Sequence, residues 1–191
     1  MKNPAHPPYW KVFRSEAGPD LKLFRVRYDW YQNPRNNKEL KRLVLETPDW
    51  VNVVALTAGK KIVLVHQYRF GTGLISTEIP GGLIDAGESS LQAAIRELRE
   101  ETGYTSSDWS YLGAVEPNPA FHTNLCHHWL AENVEKTDSP TLDEGEDITV
   151  ETWTLERLRQ AITNGKIKHA LALSALSRVP ELWAGLDIKS L

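Results

Sequence analysis

The sequence predicts an α/β fold in which a mixed sheet lies between helices, preceded by an N-terminal antiparallel β extension. Three observations carry this expectation. Residues 51–58 and 61–69 are near-continuous apolar runs on either side of Gly59-Lys60, the pattern of central strands covered on both faces. A helix with both ends marked follows at 89–102, then more strands, then two helices, which is the element order of a layered α/β domain. Before residue 50 the pattern is strand and turn.

Length and charge narrow the possibilities. The chain of 191 residues, 41% of them hydrophobic, is long enough for one domain with a sizeable core and an extension. A net charge of −3 and a pI near 6.1 give no footprint for nucleic acid or an anionic membrane, so a phosphate-bearing substrate must be met by local charge. The single cysteine, Cys126, excludes an internal disulfide. It suits a reducing compartment and reads as a small buried hydrophobe ahead of a catalytic thiol. No apolar run reaches membrane-spanning length, and Met1–Pro8 lacks the apolar core of a signal peptide, so a cytoplasmic protein is expected.

In the extension, assigned to residues 1–48, a proline-rich lead expected to be poorly ordered precedes Trp10–Glu16 and Leu21–Trp30. These read as a hairpin about Gly18-Pro19-Asp20, and Leu40–Glu46 reads as a third strand. Tyr9, Trp10, Trp30, Tyr31 and Trp50 concentrate there; such aromatics serve a subunit interface first and nucleobase stacking second. In the remainder, 49–191, Gly71-Thr72-Gly73 is expected to link flexibly to a strand ending at Pro80. Further strands are expected at Trp109–Glu116, Thr123–Val134 and Ile148–Trp153. Adjacent His127 and His128 on a strand point to opposite faces, which argues against a joint metal site with His122. Thr154 caps a helix over Leu155–Asn164 that Gly165 stops, and Ala170–Val179 reads as a largely buried helix.

The stretch from Gly82 to Tyr104 is the most informative. Ser89 with Gln92 has capping-box spacing, and Gly103 supplies a left-handed terminator. Leu91, Ala94, Ile95 and Leu98 form an apolar stripe, with Glu97, Glu100 and Glu101 expected at its edge. Like charges at these spacings repel by ~0.2–0.5 kcal/mol per pair on a bare helix. A solvated face with Arg96 pairing Glu100 would tolerate the grouping. A hard divalent cation would reverse its sign, and Glu78-Ile79-Pro80-Gly81-Gly82 ahead of it is a strand end entering a turn that lets backbone approach a ligand.

This stretch resembles the Nudix box. Gly82, Glu88, Arg96, Glu97, Glu100, Glu101 and Gly103 match its fixed positions, with Leu98 and Tyr104 in its apolar slots. The resemblance implies an αβα sandwich and Mg²⁺-dependent hydrolysis of a nucleoside-linked pyrophosphate, with Mn²⁺ able to substitute. It assigns Glu97 and Glu101 as principal metal ligands, Glu100 to a second ion and to the catalytic set, and the Gly81 carbonyl as a further ligand. Glu88 and Arg96 would orient these carboxylates.

Gln67-Tyr68-Arg69, Pro119 sixteen residues beyond Gly103, and the strand-rich extension resemble the ADP-ribose and nucleoside diphosphate sugar pyrophosphatase branch. That likeness implies a homodimer in which one subunit completes the other's nucleotide pocket. Arg69, Leu83, Trp30 and Trp50 are then the substrate-binding candidates. It places the general base in the acidic loop Asp143-Glu144-Gly145-Glu146-Asp147, with Glu146 chosen and Glu144 second; a solvated loop is the plain alternative. Two other readings stay open: a Nudix enzyme acting on oxidised nucleotides, coenzyme A or NADH, and a Nudix fold kept as a ligand sensor without hydrolysis.

Overall fold

A computed structural model describes residues 7–184, so residues 1–6 of the proline-rich lead lie outside the described residues. The chain divides into two compact units. The first comprises residues 7–47 with Glu116–Asn124, and the second comprises Pro48–Val115 with Leu125–Ala184.

The first unit is an antiparallel sheet of β1 (Lys11–Asp20), β2 (Arg25–Gln32) and β3 (Glu39–Glu46) in the order β1-β2-β3. The turn lies later than the sequence suggests. β1 runs through Gly18 and Pro19 to Asp20, and the reversal falls at Leu21–Phe24, with Lys22 at φ 66°. Proline is tolerated because β1 is an edge strand with a register shift there. Gly18 serves close packing, since a Cβ would lie 2.8 Å from Val26 Cγ1. Phe121 and Thr123 join this unit through backbone bonds with Leu45.

In the second unit β4 (Trp50–Ala55) and β5 (Lys61–Arg69) are joined through a turn that holds the Leu56–Ile62 bridge, and they enter different ladders. β5 pairs antiparallel with β6 (Leu74–Glu78), through a tight turn at Arg69–Gly73 in place of the flexible link expected. β4 pairs parallel with β9 (Cys126–Glu132), and β8 (Asp108–Val115) pairs antiparallel with β9, which makes the sheet mixed. β11 (Ile148–Thr154) flanks β5, and short β7 (Tyr104–Thr105) and β10 (Glu135–Lys136) pair with each other.

The apolar runs are buried on both faces, as their composition requires. Val51, Val53, Ala55 and Val63 pack with Ala93, Ala94 and Leu98 of α1 (Ser90–Thr102). Val54, Leu56, Ile62 and Leu64 pack under α2 (Leu155–Thr163) and α3 (Ala170–Ser177). This is an αβα sandwich. The capping box at Ser89 and Gln92 and the left-handed Gly103, φ 72°, bound α1, and Thr154 caps α2. Among the described residues no helix is long and apolar enough to cross a membrane.

Candidate active site

The site begins where β6 runs into the glycine turn. The Pro80 and Gly82 carbonyls accept the Val53 and Val51 amides at 2.8 and 2.9 Å, which binds the turn to β4. The close approach needs both glycines. A Cβ on Gly81 would press on the Val51 carbonyl and lie 2.7 Å from Asn52 Nδ2; one on Gly82 would lie 2.6 Å from Glu97 Cδ. The Gly81 N–H donates to Glu101 Oε2 at 3.0 Å. One residue on, Leu83 bridges Trp50, so these two substrate-binding candidates are neighbours.

α1 is rotated relative to the expected stripe. Ile95 is 41% exposed, whereas Glu97 and Glu101 are 9% and 4% exposed and share the buried face with Ala93, Ala94 and Leu98. The two carboxylates therefore lie in the core against the glycine turn, while Glu100 is half-exposed. Burial pushes the Glu101 carboxyl up to about 8, and the charges of Glu97 and Glu146 add to the rise against the Gly81 N–H and Arg69. Glu97 is also raised, first by burial, despite its contact with Arg96.

Arg96 ties this cluster together. Nε and Nη2 each donate to Glu88 at 3.0 Å, Nη1 donates to Glu97 at 2.8 Å and Glu100 at 3.1 Å, and Nη2 donates to the Leu83 carbonyl at 2.9 Å. The hydrogen bonds to Arg96 hold Glu88 below its ordinary range.

The acidic loop reaches the site because the chain before it wraps the end of α1. Thr137 and Asp138 N–H groups donate to the Gly103 carbonyl, Asp138 pairs with Arg99 at 2.8 Å, and Thr141 N–H donates to the Glu100 carbonyl at 2.8 Å. A turn then joins Glu146 N–H to the Asp143 carbonyl, and the Asp143 N–H returns to Glu146 Oε2 at 3.2 Å. The Glu146 charge acts on Glu97, Glu101 and Arg69 alike. Glu144 is exposed in the loop and Glu146 only partly so.

Arg69, at the end of β5, is 44% exposed and gives Nε and Nη2 to the two oxygens of Glu78 at 2.9 and 2.8 Å. Glu78 is 2% exposed. Burial acts to raise it, but Arg69 and His169 outweigh this and leave it lowered. His169 caps α3 by accepting the Ala172 N–H at Nδ1, and that atom lies 3.5 Å from Glu78 Oε2. Its own protonation is disfavoured, by burial first and by Arg69, against the pull of Glu78. Sequence reasoning passed over both residues. The available signal was a carboxylate ending a buried strand; for His169 only its place before an apolar helix pointed anywhere.

Trp30 is on β2 of the first unit, with Arg14 and Lys41 at 4.4 and 4.8 Å from its ring centre. His127 contacts Tyr111 and Asp49, while buried His128 contacts Ser174.

The donor set fits a hard divalent cation. Two buried carboxylates face the same turn, and burial pushes one of them toward its neutral form. Among the described residues no three His, Cys, Asp or Glu side chains stand as a ready metal cage, and Arg96 occupies part of Glu97 and Glu100.

This combination of a capped glutamate helix, a glycine turn and an αβα sandwich defines a family. A NUDIX domain model matches residues 47–174, and the chain belongs to that family. It is 34% identical over 158 residues to the methanol dehydrogenase activator of Bacillus methanolicus, covering 82% of this chain and 85% of the relative. It is 33% identical over 142 residues to the ADP-ribose pyrophosphatase of Bacillus subtilis, covering 74% and 77%. A crystal structure of an ADP compounds hydrolase superposes with a TM-score of 0.82 at 23% identity over 95% of this chain and 97% of that one, a likeness of fold.

Proposed function

We propose that the protein hydrolyses the diphosphate of ADP-ribose or a related nucleoside diphosphate sugar, giving a nucleoside monophosphate and a sugar phosphate. The observation that carries this is the pair Glu97 and Glu101, buried against Gly81 and Gly82 with Glu146 and Arg69 in electrostatic reach. The choice of substrate is supported by relatives named ADP-ribose pyrophosphatase at 33% and 29% identity.

Glu97, Glu101, Glu100 and the Gly81 carbonyl would hold Mg²⁺ or Mn²⁺. When bound, the cation supplies positive charge to the phosphate oxygens and makes water more acidic. Arg96, fixed on Glu88, steadies Glu97 and Glu100 by its Nη1. Arg69 meets the diphosphate with the donors that Glu78 leaves free. Glu146 takes a proton from the attacking water as its oxygen bonds to phosphorus. The bond from phosphorus to the bridging oxygen breaks, and that oxygen leaves on the other phosphate and is protonated. Trp50 and Leu83, bridged to each other, border the position for the nucleotide.

The first unit serves as the dimerisation region. Phe13 and Leu43 are exposed on a sheet whose β1 edge is bare among the described residues, and Trp10, Leu21 and Leu23 are exposed next to its strands. The small net negative charge supports a small-molecule substrate over nucleic acid, and the single cysteine suits a reducing compartment such as the cytoplasm.

Purified protein incubated with ADP-ribose and other nucleotide sugars, with Mg²⁺ or with EDTA, tests the function by ³¹P NMR. AMP and ribose 5-phosphate should form from ADP-ribose with Mg²⁺ alone; failure to consume any nucleoside diphosphate sugar refutes it. The likeness to a dehydrogenase activator favours a second reading, action on a partner enzyme, which gains ground only if ADP-ribose is untouched.

A further inference from the structure

We propose that Glu78 is the positioning residue for Arg69: it fixes the guanidinium so that its remaining donors meet a diphosphate, and keeps it off Glu101 and Glu146. This rests on the reading of Arg69 as the diphosphate contact. Nothing in the glutamate helix or the acidic loop calls for a buried carboxylate at this place, yet Glu78 is 2% exposed and ends the strand that leads into Gly81.

Its geometry is a two-pronged pair. β5 and β6 run antiparallel with Arg69 opposite Leu74 and Val65 opposite Glu78, so the Arg69 side chain returns along β6 to reach it. Nε and Nη2 take one carboxylate oxygen each at 2.9 and 2.8 Å. A guanidinium carries five N–H donors in a rigid plane, so binding Glu78 at one edge fixes the direction in which the others point. His169 stands 3.5 Å from Glu78 Oε2 on the side of α3, which confines the carboxylate from a second direction.

The alternative partners explain why an anchor matters. Glu101 and Glu146 both act electrostatically on Arg69, and a long flexible side chain between two such carboxylates would be drawn to them. There it would occupy the metal-binding group and the base. A buried carboxylate with fork geometry outcompetes both, because charge-assisted paired bonds are stronger than single ones and Glu101 already accepts the Gly81 N–H. Glu78 thus acts on substrate only through Arg69.

The test is a cycle of Glu78→Gln, Arg69→Gln and the double variant in the full-length chain. It reads calorimetric binding of inorganic pyrophosphate in EDTA, and KM and kcat for ADP-ribose with Mg²⁺. Each single variant should weaken pyrophosphate binding and raise KM by about tenfold, with kcat changed by less than about threefold, and the double variant should be no worse than Arg69→Gln alone. Losses that multiply in the double variant overturn the proposal. So does Glu78→Gln with wild-type pyrophosphate binding and KM, or pyrophosphate binding that does not depend on Arg69. Should Glu78→Gln fail to fold, Arg69→Lys, which keeps charge but loses the fork, must show the same KM rise; wild-type KM there overturns it. If ADP-ribose is not hydrolysed at all, the proposed function fails while the pyrophosphate measurement still decides the role of Glu78.

Discussion

Substituting Gly82 by alanine should separate catalysis from folding. The backbone at Gly82 is not left-handed, so alanine adds no conformational strain there. Its Cβ would lie 2.6 Å from Glu97 Cδ and 2.8 Å from Oε2, against ordinary contacts that begin at 3.4 Å. The group struck is the far end of a side chain, with Oε1 nearest, so the structure relieves the clash by moving the carboxyl by about 1 Å while β4 and α1 stay in place. A displacement near 1 Å of a group that must hold a precise geometry lowers rate by ~10²-fold. Because a side-chain end and not backbone gives way, stability should change by no more than about 1 kcal/mol. The assay is kcat for ADP-ribose at saturating Mg²⁺ beside thermal unfolding in EDTA. A Gly82→Ala enzyme with wild-type kcat would show that the position of Glu97 is not critical, and one that unfolds early would show that the turn cannot yield as argued.

In the acidic loop, Glu146→Gln should lower kcat by ~10²–10⁴-fold with little change in KM, whereas Glu144→Gln, at an exposed position, should retain most of it; the reverse result moves the base to Glu144. Gly103→Ala combines a left-handed φ of 72° with a Cβ 2.9 Å from the Asp138 carbonyl carbon and should cost about 2 kcal/mol or more in urea unfolding; an unchanged midpoint refutes that. His128 is fully buried, and burial first, with Arg178, lowers it to about 4 against a hydrogen bond with the His127 backbone, while its ring contacts Ser174 and Cys126. The folded state therefore resists a proton that the unfolded state accepts near its ordinary 6.5. Stability should be fully present above that value and fall as pH drops toward about 4. His128→Gln should flatten that slope, and an unaltered pH profile of the urea midpoint would contradict the assignment.

What the sequence made legible is what local chemistry determines. Ser89, Gln92 and Gly103 mark the ends of α1 because capping depends on residues a few positions apart, and the two-sided burial of β4 and β5 follows from their continuous apolar composition. Ala94 and Leu98 are buried as the apolar stripe of α1 requires, but which flank of that stripe faces the core was not legible. Ile95 and Glu97 differ by two positions, and only the glycine turn packed against the helix decides that Glu97 is the buried one. The hairpin turn moved past Gly18 because glycine there answers a contact across the sheet with Val26. The Arg69–Glu78 pair depends on strand register, and the position of Glu146 depends on how residues 137–141 wrap α1, both set by tertiary pairing.

The most direct test of the account is turnover of ADP-ribose by Glu97→Gln and Glu101→Gln, with Mn²⁺ binding followed by calorimetry. Each substitution keeps shape and removes a buried carboxylate. Loss of at least ~10²-fold in kcat and weaker Mn²⁺ binding is expected, with unfolding in EDTA no earlier than for wild type, since repelling charges are removed. Near-normal turnover in either variant would contradict the assignment of these two glutamates as the metal-holding centre of the enzyme.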